Sequence, residues 1–309
     1  MRWFETPSFD FIRAQKIAYA ISGTLIVVSI LAIFGLGLNY GIDFRGGKEF
    51  VFEFDRPVDV VELRTELTEP LGTGIAPEIK LFGSTREILV RTDSEEDITV
   101  VRDIMMSTFA SLYPDATVTV EKSDLVGPRF AEDLRRGALY SIVFALAVVF
   151  IYIFIRFKGW YFSAGAIAAL AHDVLIVLGI FTIMAQIAPF DVSIDQAIIA
   201  AFLTIVGYSL NDTVVVFDRI RENSIIYKTM AFKDMINKSL NDTLSRTVIT
   251  SVTTLFVVTV LFIFGGEVLK GFAFALVLGV ILGTYSSLFV ASALVVELQK
   301  RAIEAKAKS

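Results

Sequence analysis

Three places in this sequence put ionisable side chains inside long apolar runs. Asp173, preceded by His172, sits near the middle of one run, and Asp212, preceded by Asn211, lies toward the end of the next. Arg246 opens a third, which continues Thr247, Thr250, Ser251, Thr253 and Thr254. An ionisable group in hydrocarbon costs about 2.5–3.5 kcal/mol on insertion scales, so each marks a candidate functional position. Arg246, Thr250 and Thr253 or Thr254 recur at helical spacing and form one polar stripe, expected to face the interior of a helix bundle. Burial raises a carboxyl pKa and a nearby cation lowers it, so Asp212 opposite that stripe has the minimal chemistry of a proton relay. The alternatives are static: an Asp212–Arg246 pair that only fixes packing, or an i,i+4 pair of Arg246 with Asp242. For His172 and Asp173 the packing role is favoured, because neighbouring hydroxyls and amides satisfy an Asp without titrating it.

The elements that position these groups are membrane spans. A mean hydropathy of +0.67 with 55% hydrophobic residues is too apolar for an ordinary soluble fold. Six runs reach the roughly 18–25 residues that cross about 30 Å of hydrocarbon: Ile17–Leu38, Ala138–Ile155, Phe162–Met184, Ala197–Phe217, Thr247–Phe264 and Gly271–Val295. The first is too long for a signal-peptide core and is read as a retained anchor. Basic residues concentrate in two short loops, Arg156 and Lys158 in one, Arg219, Arg221, Lys228, Lys233 and Lys238 in the other. They also flank the ends, at Arg13, Lys16, Lys300, Arg301, Lys306 and Lys308, whereas the loop at Asp191 and Asp195 has none. By the positive-inside rule those loops and both termini are cytoplasmic. The chain thus divides into a cytoplasmic N-terminus and first span (1–38), an extracytoplasmic domain (39–136), five further spans (137–295) and a cytoplasmic tail (296–309).

The outer segment reads as strands at Lys48–Phe54, Glu78–Phe82, Ile88–Thr92 and Thr117–Val120, with a helix at Val58–Leu71 and a second after Ser94 and Asp97 carrying Ile98, Val101, Ile104, Met105 and Phe109. Ser94, ahead of Asp97, is the expected source of the cap. The order βαββαβ is ferredoxin-like. Such a fold hosts many functions, and without cysteine or histidine this segment offers no common metal or nucleophile constellation, which leaves a docking module or a structural spacer. Gly46 and Gly47 on one side, and Gly127 and Pro128 on the other, flank the domain where it meets the membrane. They serve either as shaped linkers or as a hinge. A net charge of −5 and the absence of a basic cluster with interleaved aromatics exclude a nucleic-acid footprint. Gly279, Gly283 and Ser286 are spaced for close helix contact in the last span.

Several segments together resemble the SecD/SecF family of protein-export membrane proteins, on its SecF side. They are Gly41 to Gly47, Val126 to Pro128, Ala171-His172-Asp173-Val174, Val206 to Asp212 with Asp218-Arg219-Ile220-Arg221-Glu222-Asn223, and Arg246-Thr247 through Thr254. The resemblance spans nearly the whole chain, with departures at Arg45 and at Arg129 to Glu132. It implies a six-helix transmembrane bundle of resistance-nodulation-division type with one small α+β outer domain, in the bacterial inner membrane. It implies pairing with SecD and work beside the SecYEG channel on unfolded preprotein, with no enzymatic activity and no cofactor beyond the proton gradient. Asp212 and Arg246 match the family's proton-pathway positions, with His172, Asp173, Asn211, Thr250 and Thr254 in support. One charge moved through 100 mV gains about 2.3 kcal/mol, enough to bias a two-state domain movement. A purely scaffolding subunit, a solute exporter of the same superfamily and an intramembrane aspartyl protease are the competing readings; the last lacks the expected Gly-Leu-Gly-Asp context.

Overall fold

The computed structural model describes residues 8–72, 77–157 and 159–308, with side chains to 301. Lys158 and the side chains of Lys306 and Lys308, used above for orientation, lie outside the described residues. Six helices among these are long and apolar enough to cross a membrane. α1 is Phe11–Leu36, and a four-residue α2, Ile42–Arg45, leads into β1, Gly47–Phe54. The sequence continues with α3 Val60–Thr68, β2 Glu78–Phe82, β3 Ser84–Thr92, α4 Ile98–Leu112 and β4 Val118–Val126. Then come α5 Pro128–Phe157, α6 Trp160–Met184, α7 Gln196–Ile226, α8 Phe232–Phe264 and α9 Glu267–Ser286. A π-helical turn, Ser287–Ala291, joins α9 to α10, Ser292–Lys308.

The strands form one antiparallel sheet in the order β2-β3-β1-β4, the ferredoxin-like arrangement. Phe50, Phe52 and Phe54 alternate onto one face and pack against Leu63 and Leu67 of α3 and Val101, Met105 and Phe109 of α4. The cap of α4 is Asp97 itself, whose carboxylate accepts from Thr99 N at 2.8 Å, and not Ser94. Ser94 is instead buried, with its carbonyl accepting from Lys48 Nζ at 2.6 Å.

The bundle differs from the hydropathy reading at its polar ends. α5 begins at Pro128, ten residues before the expected span, so about 15 Å of helix continues past the apolar run. Pro at the first helical position needs no donor there. The broad basic loop expected between the fourth and fifth spans is mostly helix, because α7 runs to Ile226 and α8 starts at Phe232. Hydropathy falls where a helix leaves hydrocarbon, whereas its backbone hydrogen bonds continue. Close crossings hold the bundle together: a Cβ at Gly279 would stand 2.2 Å from Ile205, one at Gly283 3.0 Å from Ser209, and one at Gly179 2.2 Å from Ser29.

Sheet and bundle meet through charge. Arg91 on β3, its side chain 8% exposed, donates to Glu49 on β1 at 2.6 Å, to Asp191 at 2.6 Å and to Ser193 at 2.9 Å, the last two in the turn between α6 and α7. Glu49 also accepts from Lys122 at 2.8 Å. Burial works against the charge on Arg91, but Asp191 and Glu49 more than offset it and hold its pKa above the usual value. Burial likewise opposes ionisation of Asp191, yet Arg91 and Ser193 prevail and keep its carboxyl below the ordinary range. Backbone pairing reinforces the contact, with Gly41 N donating to Ile194 O at 2.9 Å and Ile194 N to Asn39 O at 2.7 Å. Gly46 and Gly47 have φ of +79° and +112°, and a Cβ on Gly46 would lie 3.2 Å from Val126 O, so the two junctions sit against each other.

Removing one partner of a buried ion pair costs about 3–5 kcal/mol. Arg91→Met should therefore lower the unfolding free energy of the full chain in detergent by that order. Arg45→Met, whose pair with Glu78 is half exposed, should cost under about 1 kcal/mol. Because the Asp191 carboxyl is lowered in the folded state, its contribution is complete above the ordinary value of about 3.9 and lost as pH falls through the lowered one. Protease resistance of the junction should thus hold from pH 8 down to about 4 and decline only below it.

Candidate functional site

The intramembrane polar residues separate into two constellations. The first is built on α6. Asp173, fully buried, accepts through Oδ2 from Ser209 of α7 at 2.7 Å and from Ser286 of α9 at 2.7 Å. Its Oδ1 lies 2.9 Å from His172 Nδ1, and His172 Nε2 lies 3.0 Å from Ser22 of α1. Ser22 is 3.0 Å from the hydroxyl of Tyr285, which donates to Ala18 O at 2.8 Å. The close approaches at Gly283 and Gly279 bring α9 near enough to α7 for two serines to reach one carboxylate.

The second constellation faces the other way. Asp212 on α7 is 3% exposed, and its Oδ2 is buried without a hydrogen-bond partner; Thr247 Oγ1 on α8 is in the same condition. Ser251 lies beside Asp212 and is itself held by Tyr208 at 3.2 Å and Thr284 at 2.7 Å. Arg246 acts on Asp212 electrostatically, but no ion pair joins them among the described residues. The i,i+4 alternative is also unrealised: Asp242 faces Arg219 and Lys238, both at 3.7 Å, and accepts from Asn223 at 3.2 Å. Asn211 and Arg246 line a cleft of about 750 Å³ that opens at the basic end of α7 and α8, with Asp218, Arg219 and Asp242 at its mouth.

The structure overturns one expectation here. The stripe of Arg246, Thr250, Thr253 and Thr254 does not face the bundle interior. Arg246 and Thr253 are exposed, Thr250 and Thr254 only partly covered, and the buried face of α8 is Thr243, Thr247, Ser251 and Val258. The helix is turned by one residue, about 100°, from the expected orientation. Thr250 donates back to the carbonyls of its own helix and does not reach Asp212. Exposed Thr204, Gly207 and Asn211 on α7 continue this polar, small-residue face. Sequence reasoning missed Ser22 and Tyr285 and assigned no partner to Ser209, Ser251 or Ser286, since a hydroxyl in an apolar run is unremarkable until its partner helix is known. No group of three or more His, Asp or Glu able to hold a metal occurs among the described residues.

A six-span bundle with a ferredoxin-like domain between its first two spans, and an acid and a base on neighbouring central helices, defines a resistance-nodulation-division type membrane protein. The model of the SecD/SecF C-terminal region of protein export membrane proteins matches residues 105–301, and that of the SecD/SecF GG motif matches residues 31–58. The chain belongs to the SecD/SecF family of protein export membrane proteins. It is 54% identical to the protein translocase subunit SecF of Rhodothermus marinus over 302 residues, covering 98% of this chain and 97% of that one. It is 42% identical to SecF of Desulfurispirillum indicum, covering 98% and 95%. The crystal structure of SecDF from Thermus thermophilus, a translocon-associated membrane protein, superposes with a TM-score of 0.87 at 37% identity. That match covers 97% of this chain and 40% of the SecDF chain, so this chain spans about two-fifths of that protein.

Ionisable side chains within spans face protein or a water-filled cavity and not lipid. Thr253 lies about two turns from Arg246 on the same exposed face of α8. In this cysteine-free chain, a cysteine at Thr253 should therefore cross-link to a second membrane protein in native membranes. A cysteine at Thr247, fully buried within the bundle, should not.

Proposed function

We propose that this chain acts as the SecF subunit of a bacterial protein translocase, paired in the inner membrane with SecD. Together they use the proton gradient to promote late steps of preprotein export through SecYEG. The observation that carries the coupling is the contrast between the two buried acids. Every acceptor of Asp173 is engaged, whereas Asp212 keeps an unpartnered oxygen next to a guanidinium that does not close on it. A buried polar atom left unsatisfied costs about 1–3 kcal/mol and calls for an explanation, which a titrating role supplies. Asp212 would take up and release a proton, Arg246 would set its charge balance, and the cleft past Asn211 would lead to the cytoplasm. Neither a cofactor nor enzymatic chemistry is part of this reading.

Pairing with SecD rests on the open face of α7 and α8, and on the solved relatives in which a single SecDF chain carries more than twice this length. Basic residues clustered at the end of α5, the end of α7 and the start of α8 support cytoplasmic termini. The sheet domain then stands outside the cytoplasm, where unfolded preprotein emerges; lipid surrounds the bundle and nucleic acid plays no part. Gly46, Gly47, Gly127 and Pro128 would form the joint between domain and membrane.

In inverted vesicles with the partner subunit present, Asp212→Asn and Arg246→Met should reduce preprotein completion to the level seen without a proton gradient, with the complex still assembled. Full retention of the gradient-dependent step would leave these residues as packing elements and the subunit as a scaffold.

A further inference from the structure

The hydrogens of the α6 constellation can be counted from one end. Ala18 O is a carbonyl and only accepts, so the 2.8 Å contact with Tyr285 uses the tyrosine's single hydrogen. Two oxygens at that distance without a hydrogen between them repel. Tyr285 must then accept at its 3.0 Å contact with Ser22, which uses the serine's hydrogen. Ser22 in turn accepts at 3.0 Å from His172, so Nε2 carries a proton. At the other end, Asp173 Oδ2 accepts from Ser209 and Ser286. The remaining contact, Nδ1 to Oδ1 at 2.9 Å, requires one proton between its two atoms.

We infer that His172 and Asp173 share a single proton and form a second, net-neutral proton-binding site of the membrane domain, closing a polar staple across α1, α6, α7 and α9. The shared proton sits on the acid beside a neutral imidazole or on the imidazolium beside a carboxylate; the pair has no net charge either way. Removing it leaves two acceptors facing each other and a lone negative charge on a fully buried Asp. Adding another places a hydrogen at Oδ2 against the Ser209 donor and turns the Ser286 hydrogen away to Gly283 O at 3.3 Å. Few other ionisable groups compete. α6 carries only Tyr161 besides the pair; on α1, Tyr19 lies three residues from Ser22 and Lys16 six, about 9 Å along the helix. α9 contributes Tyr285, already in the network, and Asp212 of α7 lies three residues past Ser209, beside Ser251 and Arg246. The staple holds the turn of α7 from which Asp212 projects, so His172 and Asp173 are positioning residues. The inference stands on its own hydrogen count and not on any proton movement at Asp212.

His172 is the single histidine of the chain. The full chain, labelled with 15N-histidine, purified on a histidine-free tag and placed in lipid bilayers, therefore gives one imidazole spectrum. The expected result is a proton on Nε2, with Nδ1 hydrogen-bonded to Asp173. A bare Nε2 opposite a protonated Nδ1 would overturn the assignment. Tyr285→Phe removes the hydrogen that starts the count and frees Ser22 to donate to Nε2, so the imidazole signals should shift. An unchanged spectrum in that variant would equally overturn it.

Discussion

Hydrocarbon offers no hydrogen bonds, and that one constraint organises this molecule. Every polar atom placed at membrane depth has to find its partner on another helix, on its own backbone or on another protein. The serines and threonines of the bundle divide along these lines. Ser22, Ser209, Ser251 and Ser286 bond across helices, whereas Thr204, Thr250 and Thr253 turn back onto their own carbonyls. Close packing at Gly179, Gly279 and Gly283 is the condition for the cross-helix set, since a methylene more at any of these would hold the facing side chains apart.

Two carboxylates of the same type, on adjacent helices of one bundle, thereby acquire opposite characters. Asp173 is enclosed by donors from three helices and fixed by them. Asp212 lies between α7 and α8, with one oxygen unmatched and a cleft nearby. The difference arises from position in the bundle and not from the residue, so a motif search that scores acids within spans ranks the two equally.

Much of this was legible in the sequence, and the parts that were not share a cause. The six spans, the βαββαβ order and the acids at membrane depth follow from hydropathy, period-two alternation and the cost of burying charge. The helical continuation of α7 to Ile226 and of α8 from Phe232 did not, because a polar helix outside the membrane has no hydropathy signal. The rotation of α8 was also hidden: Thr247 and Thr250 are equally polar, and which of them faces inward depends on how α9 packs. Arg91 reads as an ordinary strand residue until folding brings Asp191, a hundred positions later, against it.

The sheet domain hangs from the membrane by two strands that are neighbours. Gly47 at the start of β1 pairs with Val126 at the end of β4, so both connections leave from the same end of the same ladder. A tug on the domain away from the bilayer draws those two strands in one direction, and the hydrogen bonds between them carry no shear. The strain falls on the glycines below and on the single guanidinium anchoring the sheet to the α6–α7 turn. The domain is thus a stiff handle on a short tether, with a catch that must release before the tether is drawn taut.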